Sequence, residues 1–149
     1  MYVYVLRLQD DCWYVGKSAN VERRLQQHID AAGAVWTELH PPLSTDALFS
    51  VEDVADIDAS GRETRRTAQL MLEYGVNSVR GGPWTRADMY RKDDLDGLVN
   101  GIGHALDLTY QHVRNHVAFQ LESDSNASDS DRISSSSSSS DDDYECDAE

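Results

Sequence analysis

Cysteine is scarce in this chain, and long apolar runs are lacking. The two cysteines, Cys12 and Cys146, lie far apart, and neither has a second cysteine or a histidine at metal-ligand spacing. This excludes a zinc module and a disulfide-stapled scaffold. No apolar run approaches the roughly 20 residues that cross a bilayer, and the apolar start lacks a preceding basic segment. We therefore expect a reduced, intracellular protein without a signal peptide or membrane span.

Basic residues are also few, with 13 Lys and Arg against 27 Asp and Glu. A passive coat on nucleic acid is usually basic, so the net charge of −14 excludes that class. The acids are unevenly spread, because residues 122–149 hold 10 of them with only one arginine, and residues 1–121 carry a net charge of −5. A local basic face is therefore compatible with the composition. The basic clusters are Lys17, Arg23 and Arg24, then Arg62, Arg65 and Arg66, then Arg80, Arg86, Arg91 and Lys92.

The last 28 residues, 122–149, differ in composition from the rest of the chain. They are mostly Ser, Asp and Glu, with an unbroken serine run from Ser134 to Ser140. Such a segment has too few apolar residues to pack, so we predict a disordered acidic tail that could contact basic partners. Serines beside acids are plausible phosphorylation sites, and this composition points to the nucleus or cytoplasm of a eukaryotic or virus-infected cell.

The first part of the chain has the pattern of a β-hairpin followed by a helix. Two short stretches are rich in β-branched and aromatic residues, which favour strands, and polar residues between them predict a turn. Asn20 is a good N-cap for the helix, and Gly33 is the expected stop. The predicted elements are strands over residues 2–8 and 12–16, a turn over 9–11 and a helix over 21–31.

The rest of the body predicts one more strand and two helices. Gly75 follows an apolar stripe at helical spacing and is a typical helix stop. Residues 34–40 are predicted as a short strand or loop before Pro41-Pro42. The remaining predictions are a strand over 48–54, helices over 63–74 and 93–117, and an extended segment over 76–82. The order is β-β-α-β-α-α, a small mixed α/β domain built on an antiparallel hairpin.

Five side chains near the hairpin form an unusual set. Tyr4 and Tyr14 lie ten residues apart, Lys17 follows the second strand, and Arg24 and His28 are spaced i, i+4 on the helix. Each alone is more often structural, since tyrosines pack in hairpins and polar pairs line helix faces. Together they are typical of a site that handles a phosphodiester.

This ordered set resembles the GIY-YIG endonuclease family. The similarity runs over about residues 2–85 and includes the segments Trp36–His40 and Glu63–Gly82. It implies a three-stranded antiparallel sheet flanked by helices that cuts DNA with one divalent ion, Mg²⁺ or Mn²⁺. We accordingly expect a nuclease domain over residues 1–90, a C-terminal helix packing on it over 91–121, and the tail.

The resemblance implies a role for each residue. Arg24 would hold the scissile phosphate and stabilise the added charge of the transition state, and Glu63 would bind the metal. Tyr4 is favoured as general base, provided that its pKa falls from about 10, with Tyr14 orienting water or phosphate; the two could be exchanged. Lys17 and His28 complete the catalytic set.

Two departures from the family pattern matter. Tyr2 stands where the first motif glycine would be, and Ser78 aligns with a supporting asparagine, with Asn77 one position away. His40 is a further supporting candidate. The alternative is therefore a catalytically degenerate GIY-YIG-like module that binds nucleic acid or a protein. Besides DNA, we expect a protein partner or a homodimer. The residues predicted to bind nucleic acid are Arg23, Arg65, Arg66 and Arg80.

Overall fold

The computed structural model describes residues 1–42, 44 and 47–135, with side chains to residue 124. Its strands are β1 (Tyr2–Arg7), β2 (Trp13–Ser18), β3 (Leu48–Asp53) and β4 (Val79–Gly81). Its helices are α1 (Val21–Ile29), α2 (Val35–Leu39), α3 (Ala59–Tyr74), α4 (Leu95–Leu106) and α5 (Tyr110–Ser135). The mixed α+β class is as predicted.

The sheet has the order β3-β1-β2-β4, with β1 antiparallel to both neighbours and β4 parallel to β2. The prediction of a three-stranded sheet was therefore wrong, because the sheet has a fourth strand, β4. Residues 76–82 were predicted as extended but not as part of the sheet. Because β4 pairs over only three residues, it is too short to show the period-two alternation by which strands are recognised.

Local chemistry explains the hairpin and its helix. Asp10 and Asp11 have φ values of 64° and 56°, the left-handed conformation that aspartate tolerates and that reverses the chain between β1 and β2. The Asn20 side chain accepts a hydrogen bond from the backbone N–H of Arg23 at 3.0 Å, as expected of an N-cap. Helix α1 ends before Gly33, since Ala31 already has a φ of 59°.

The sheet is covered on both faces, which explains why the four central residues of β1, Val3 to Leu6, are all buried. Val3 and Val5 contribute to a main core with α3, α4 and α5, whereas Tyr4 and Leu6 contribute to a smaller cluster with Trp36 of α2. This alternation follows from the period of two along a strand. The smaller cluster underlies the candidate site.

Two predicted elements take another form. Residues 34–40, expected as a strand or loop, contain helix α2. The single helix predicted over 93–117 is divided into α4 and α5, because Asp107 adopts a left-handed conformation and Thr109 accepts a hydrogen bond from the N–H of His112 at 3.2 Å. The glycines within α4 do not break it.

Helix α5 continues beyond the predicted boundary at residue 121 as far as Ser135, the last residue that the structure describes. No glycine or proline follows Gly103, so no backbone signal stops the helix at the change in composition. Asn77 donates a hydrogen bond to the Asp124 side chain at 2.9 Å, which ties this part of α5 to the chain before β4. The rest of the predicted tail, residues 136–149, lies outside the described residues. In the described part of the chain, no helix is both long enough and apolar enough to span a membrane.

Candidate active site

Tyr4 and Tyr14 lie on the same face of the hairpin. Tyr4 pairs with Gly16 across the two strands, and Tyr14 is two residues from Gly16, so the rings lie on one face with centroids 6.4 Å apart. A Cβ atom on Gly16 would lie 2.4 Å from the Tyr4 hydroxyl. Glycine is therefore required at position 16 by the close approach of the Tyr4 ring to the β2 backbone.

His28 is placed behind Tyr4 by helix α1. The Tyr4 hydroxyl lies 2.9 Å from His28 Nε2, and His28 Nδ1 lies 2.9 Å from Thr37 Oγ1. The imidazole is about 1% exposed. Burial, together with the nearby charge of Arg24, lowers the pKa of His28 to about 4. The ring is therefore neutral at neutral pH.

Arg24 lies one helical turn before His28 and is half-buried. Its guanidinium donates a hydrogen bond to Gln27 Oε1 at 2.8 Å. Burial raises the pKa of both Tyr4 and Tyr14, and Arg24 opposes this rise by its charge and by hydrogen bonding. The net direction is upward for both hydroxyls, so the condition attached to Tyr4 as general base, a lowered pKa, is not met by these surroundings.

Glu63 comes from the first half of α3 and is half-buried. Its charge raises the pKa of Tyr4 and Tyr14, which places its carboxylate within electrostatic reach of both hydroxyls. Burial raises the pKa of Glu63, and Lys17 lowers it, with a net rise. Lys17 itself donates a hydrogen bond to Ser60, in the first turn of α3. The structure thus brings the six predicted catalytic and metal residues together from β1, β2, α1 and α3.

The donor set at Glu63 fits one divalent ion that retains its waters. Among the described residues, no hydrogen bond or ion pair engages the Glu63 carboxylate, although it is half-buried. No group of three or more metal-ligating side chains occurs in that same part of the chain. Mg²⁺ is commonly held by one or two carboxylates with water in its other positions, so a single carboxylate suits it.

The three residues predicted to support the site make their contacts away from the tyrosine hydroxyls. His40 Nδ1 lies 3.1 Å from Asp10 Oδ2, and its ring packs on Trp36. The Asn77 side chain is hydrogen-bonded to the backbone of Tyr90 and to Asp124, and these bonds argue against its taking the place of the family's asparagine. Ser78 contacts β2 through its backbone, since its carbonyl accepts a hydrogen bond from Trp13 at 2.7 Å.

The burial of Arg80 argues against the predicted contact with nucleic acid. Its residue exposure is 0%, and its guanidinium lies 4.4 Å from the ring centroids of both Trp36 and Tyr90. Burial lowers its pKa to about 10, so it is still charged at neutral pH. Its hydrogen bonds, between 2.6 and 2.9 Å, go to the backbone carbonyls of Val76, Val79, Arg86 and Asp88.

The other three arginines predicted to contact nucleic acid are more accessible. Arg23 and Arg65 are exposed, and Arg66 is half-buried. Arg65 donates a hydrogen bond to the carbonyl of Ala105 in α4 at 3.3 Å. Arg23 is adjacent to Arg24 in α1, which makes it the best placed of the three to extend a phosphate contact from the site.

Sequence reasoning missed two residues that place His28. The Thr37 hydroxyl is hydrogen-bonded to His28 Nδ1, the ring nitrogen opposite the one that faces Tyr4. Gly33 packs against the same nitrogen, since a Cβ atom on Gly33 would lie 2.3 Å from His28 Nδ1. Thr37 lies nine residues after His28 and belongs to a different helix, so no helical periodicity links them. Gly33 was interpreted as a helix stop, because close packing by a distant side chain leaves no local signal.

Comparisons with known proteins identify the family of this chain. Residues 1–74 match the family model of the GIY-YIG catalytic domain. A UPF0213 protein of Limosilactobacillus reuteri is 30% identical over 86 residues, which cover 53% of this chain and 90% of that protein. A UPF0213 protein of Syntrophus aciditrophicus is 31% identical over 75 residues, covering 48% and 86%.

A third relative, a UPF0213 protein of Halalkalibacterium halodurans, is 29% identical over 83 residues, which cover 56% of this chain and 87% of that protein. No solved structure matches the chain significantly. The relatives are covered almost in full, and the residues that form the site lie within the matched domain. This chain belongs to the GIY-YIG family and has its nuclease-type fold.

Proposed function

We propose that the protein is a divalent-metal-dependent DNA endonuclease that hydrolyses phosphodiester bonds. The observation that carries the proposal is the meeting of a half-buried cation, Arg24, and a half-buried carboxylate, Glu63, at two tyrosine hydroxyls. A guanidinium there can bind one phosphate and stabilise its transition-state charge. An ion held by Glu63 would supply Lewis-acid stabilisation of the leaving oxygen.

Tyr4 is the better candidate for proton acceptance, because it is the tyrosine with a base behind it. A water attacks phosphorus, and its proton passes to the Tyr4 oxygen as the Tyr4 hydrogen passes to His28 Nε2. The bond from phosphorus to the leaving oxygen breaks, and that oxygen takes a proton from solvent. His28 then returns its extra proton through Tyr4 to solvent, which restores the neutral ring. Because Tyr4 stays neutral throughout this relay, its raised pKa is no obstacle.

Tyr14 and Lys17 have complementary tasks. Tyr14 is half-buried whereas Tyr4 is about 1% exposed, so the substrate meets Tyr14 first. We assign Tyr14 to orienting the phosphate or the water, and this hydroxyl can also pass the proton on to Tyr4. Lys17, exposed beside Ser60, contributes positive charge at the side of the site that faces α3.

The test is nicking of a supercoiled plasmid with Mg²⁺ or Mn²⁺ against a chelator control. We expect metal-dependent nicking that falls by about 100-fold or more in Arg24→Ala and Glu63→Gln. Matched controls are Arg114→Ala and Glu73→Gln, which change exposed residues of α5 and α3. Nicking by Glu63→Gln at the wild-type rate, or nicking in the chelator, would overturn the proposal.

The alternative is a catalytically degenerate module that binds nucleic acid or a protein through the same face. The observation that favours it is the engagement of Asn77 with Tyr90 and Asp124, which leaves Ser78 alone at the family's asparagine position. Retained DNA binding without nicking in the wild type would favour this reading. Ser78→Asn would then be the variant to test for restored cutting.

A further inference from the structure

Hydrogen bonds link Tyr4, His28, Thr37 and the carbonyl of Ala34 in a chain. The Ala34 carbonyl determines which group donates in each of these bonds. The Thr37 hydroxyl lies 2.8 Å from the carbonyl oxygen of Ala34, and a carbonyl oxygen can only accept. The single hydroxyl hydrogen of Thr37 is therefore committed to Ala34. Toward His28, at 2.9 Å, Thr37 can act only as an acceptor.

The tautomer of His28 follows from this commitment. Nδ1 must carry the hydrogen that Thr37 accepts, and a neutral imidazole then has a bare Nε2. The lowered pKa of His28 agrees with a neutral ring. The bare Nε2 lies 2.9 Å from the Tyr4 hydroxyl, so Tyr4 donates its hydrogen to His28. The chain runs in one direction, from Tyr4 through His28 and Thr37 to the Ala34 carbonyl.

We propose that Thr37 is a positioning residue that fixes the tautomer of His28, so that Nε2 is open to receive the hydrogen of Tyr4. In the opposite tautomer Nε2 would donate to Tyr4, and the proton of the attacking water would have no acceptor behind the phenol. The inference about the relay rests on the proposed nuclease function. The inference about the tautomer rests on the hydrogen bonds alone.

Because Thr37 and His28 are buried, loss of the Thr37 hydroxyl should change the tautomer of His28. Thr37 is about 1% exposed, as is His28, so bulk water cannot readily replace the threonine hydroxyl as an acceptor. Thr37→Val keeps the shape of the side chain and removes the hydroxyl, which is both the acceptor for His28 and the donor to the Ala34 carbonyl. That carbonyl still accepts hydrogen bonds from the backbone N–H groups of Thr37 and Glu38. Thr37→Ser keeps the hydroxyl and removes a methyl group, and is the matched control.

The first experiment measures the ¹⁵N shifts of the His28 ring nitrogens in the full chain at neutral pH. We expect a protonated Nδ1 and a bare Nε2 in the wild type and in Thr37→Ser, and a switch toward protonated Nε2 in Thr37→Val. A protonated Nε2 in the wild type would overturn the proposal without the need for any variant. So would an unchanged tautomer in a folded Thr37→Val protein.

The second experiment compares kcat and KM for nicking. We expect Thr37→Val to lower kcat about tenfold or more at an unchanged KM, with Thr37→Ser close to the wild type, since groups that orient a catalytic imidazole act on the chemical step. Equal kcat values in Thr37→Val and the wild type would overturn the catalytic role. An inactive wild type with the expected tautomer would contradict the proposed function and leave the tautomer assignment standing.

Discussion

The Tyr4 hydroxyl and His28 Nε2 lie 2.9 Å apart, and both residues are about 1% exposed. They are 24 residues apart in sequence and come from the first strand and the first helix. A hydrogen bond buried in this way cannot be exchanged for one to water without opening the fold. The pair therefore couples the folding of the hairpin and α1 to the protonation state of the site.

The first prediction concerns stability and pH. His28 has a pKa of about 4 in the folded chain and 6.5 as its ordinary value, so the unfolded chain binds a proton more readily between these values. Stability should be unaffected by His28 above pH 6.5 and should decrease as pH falls from 6.5 to 4, by about 3 kcal/mol over the whole range. Urea unfolding at a series of pH values measures this loss.

The comparison is with His28→Gln, which cannot titrate, and with His104→Gln, which changes an exposed histidine. The first variant should flatten the pH dependence over this window, and the second should keep it. Glu63, with its raised pKa, acts in the opposite direction in acid, which is why variants and not absolute values are compared. An equal pH dependence in the wild type and His28→Gln would contradict the prediction.

The second prediction concerns Gly33. Gly33→Ala would place a Cβ atom 2.3 Å from His28 Nδ1, so the imidazole or the α1–α2 connection must move. We expect a loss of about 1–3 kcal/mol in the free energy of unfolding, as for other overpacked sites. Nicking should fall at the same time, because a displaced ring breaks the contact to Tyr4 or to Thr37.

Gly61→Ala is the matched control for Gly33→Ala. Gly61 lies in the first turn of helix α3, and an added Cβ atom there meets no other atom within 4 Å. Alanine is favoured over glycine in a helix by up to about 0.5–1 kcal/mol, the full value applying to the helix interior, so this variant should be slightly more stable than the wild type. If both alanine variants changed stability in the same direction, the packing argument for Gly33 would fail.

The third prediction separates structural from binding arginines. Arg80→Ala should lower the free energy of unfolding by about 3 kcal/mol or more, because it leaves several buried carbonyls without a donor. Arg80→Lys should recover only part of this, since one ammonium cannot reach all four carbonyls. Arg23→Ala should change stability by less than about 0.5 kcal/mol while weakening DNA binding.

Chemical unfolding and fluorescence anisotropy with a labelled duplex measure these two effects. The titration is made below the temperature at which Arg80→Ala begins to unfold, so that affinity refers to folded protein. Arg80→Ala should then bind DNA as the wild type does. Weaker binding by folded Arg80→Ala would restore the nucleic-acid role that its burial argues against.

The hairpin, the Asn20 cap, β3 and α3 could be predicted because their signals are local. Alternation, capping and a terminal glycine each act within a few residues. The six catalytic and metal candidates could be listed because the order Tyr, Tyr, Lys, Arg, His, Glu is distinctive along the chain. That they meet in space could only be seen once β1, β2, α1 and α3 were packed.

The features that the sequence did not predict depend on contacts between residues that are distant in the chain. Arg80 resembles any arginine in a basic cluster, and only the fold shows that Trp36 and Tyr90 enclose it. Strand β4 is defined by its pairing with β2 and not by its own residues. The direction of the tyrosine pKa shifts also depends on tertiary burial, which the motif does not encode.

The last prediction concerns the acidic C-terminal segment. Residues 136–149 carry six acids and no Lys or Arg, and we predict that they compete with DNA for the basic residues of α1. Deleting them leaves the described residues of helix α5 in place, including Leu121 in the core and Asp124 at Asn77. The deletion should raise DNA affinity several-fold at about 10 mM salt, where the Debye length is about 30 Å, and have little effect near 1 M.

A full-length variant in which the six acids become Asn or Gln separates charge from chain length. It should match the deletion at every salt concentration if electrostatic competition is the cause. If only the deletion raised affinity, steric obstruction would replace the charge argument. Equal affinity of all three chains at low salt would show that the segment does not reach the site, and the acids would then act on partners other than this domain.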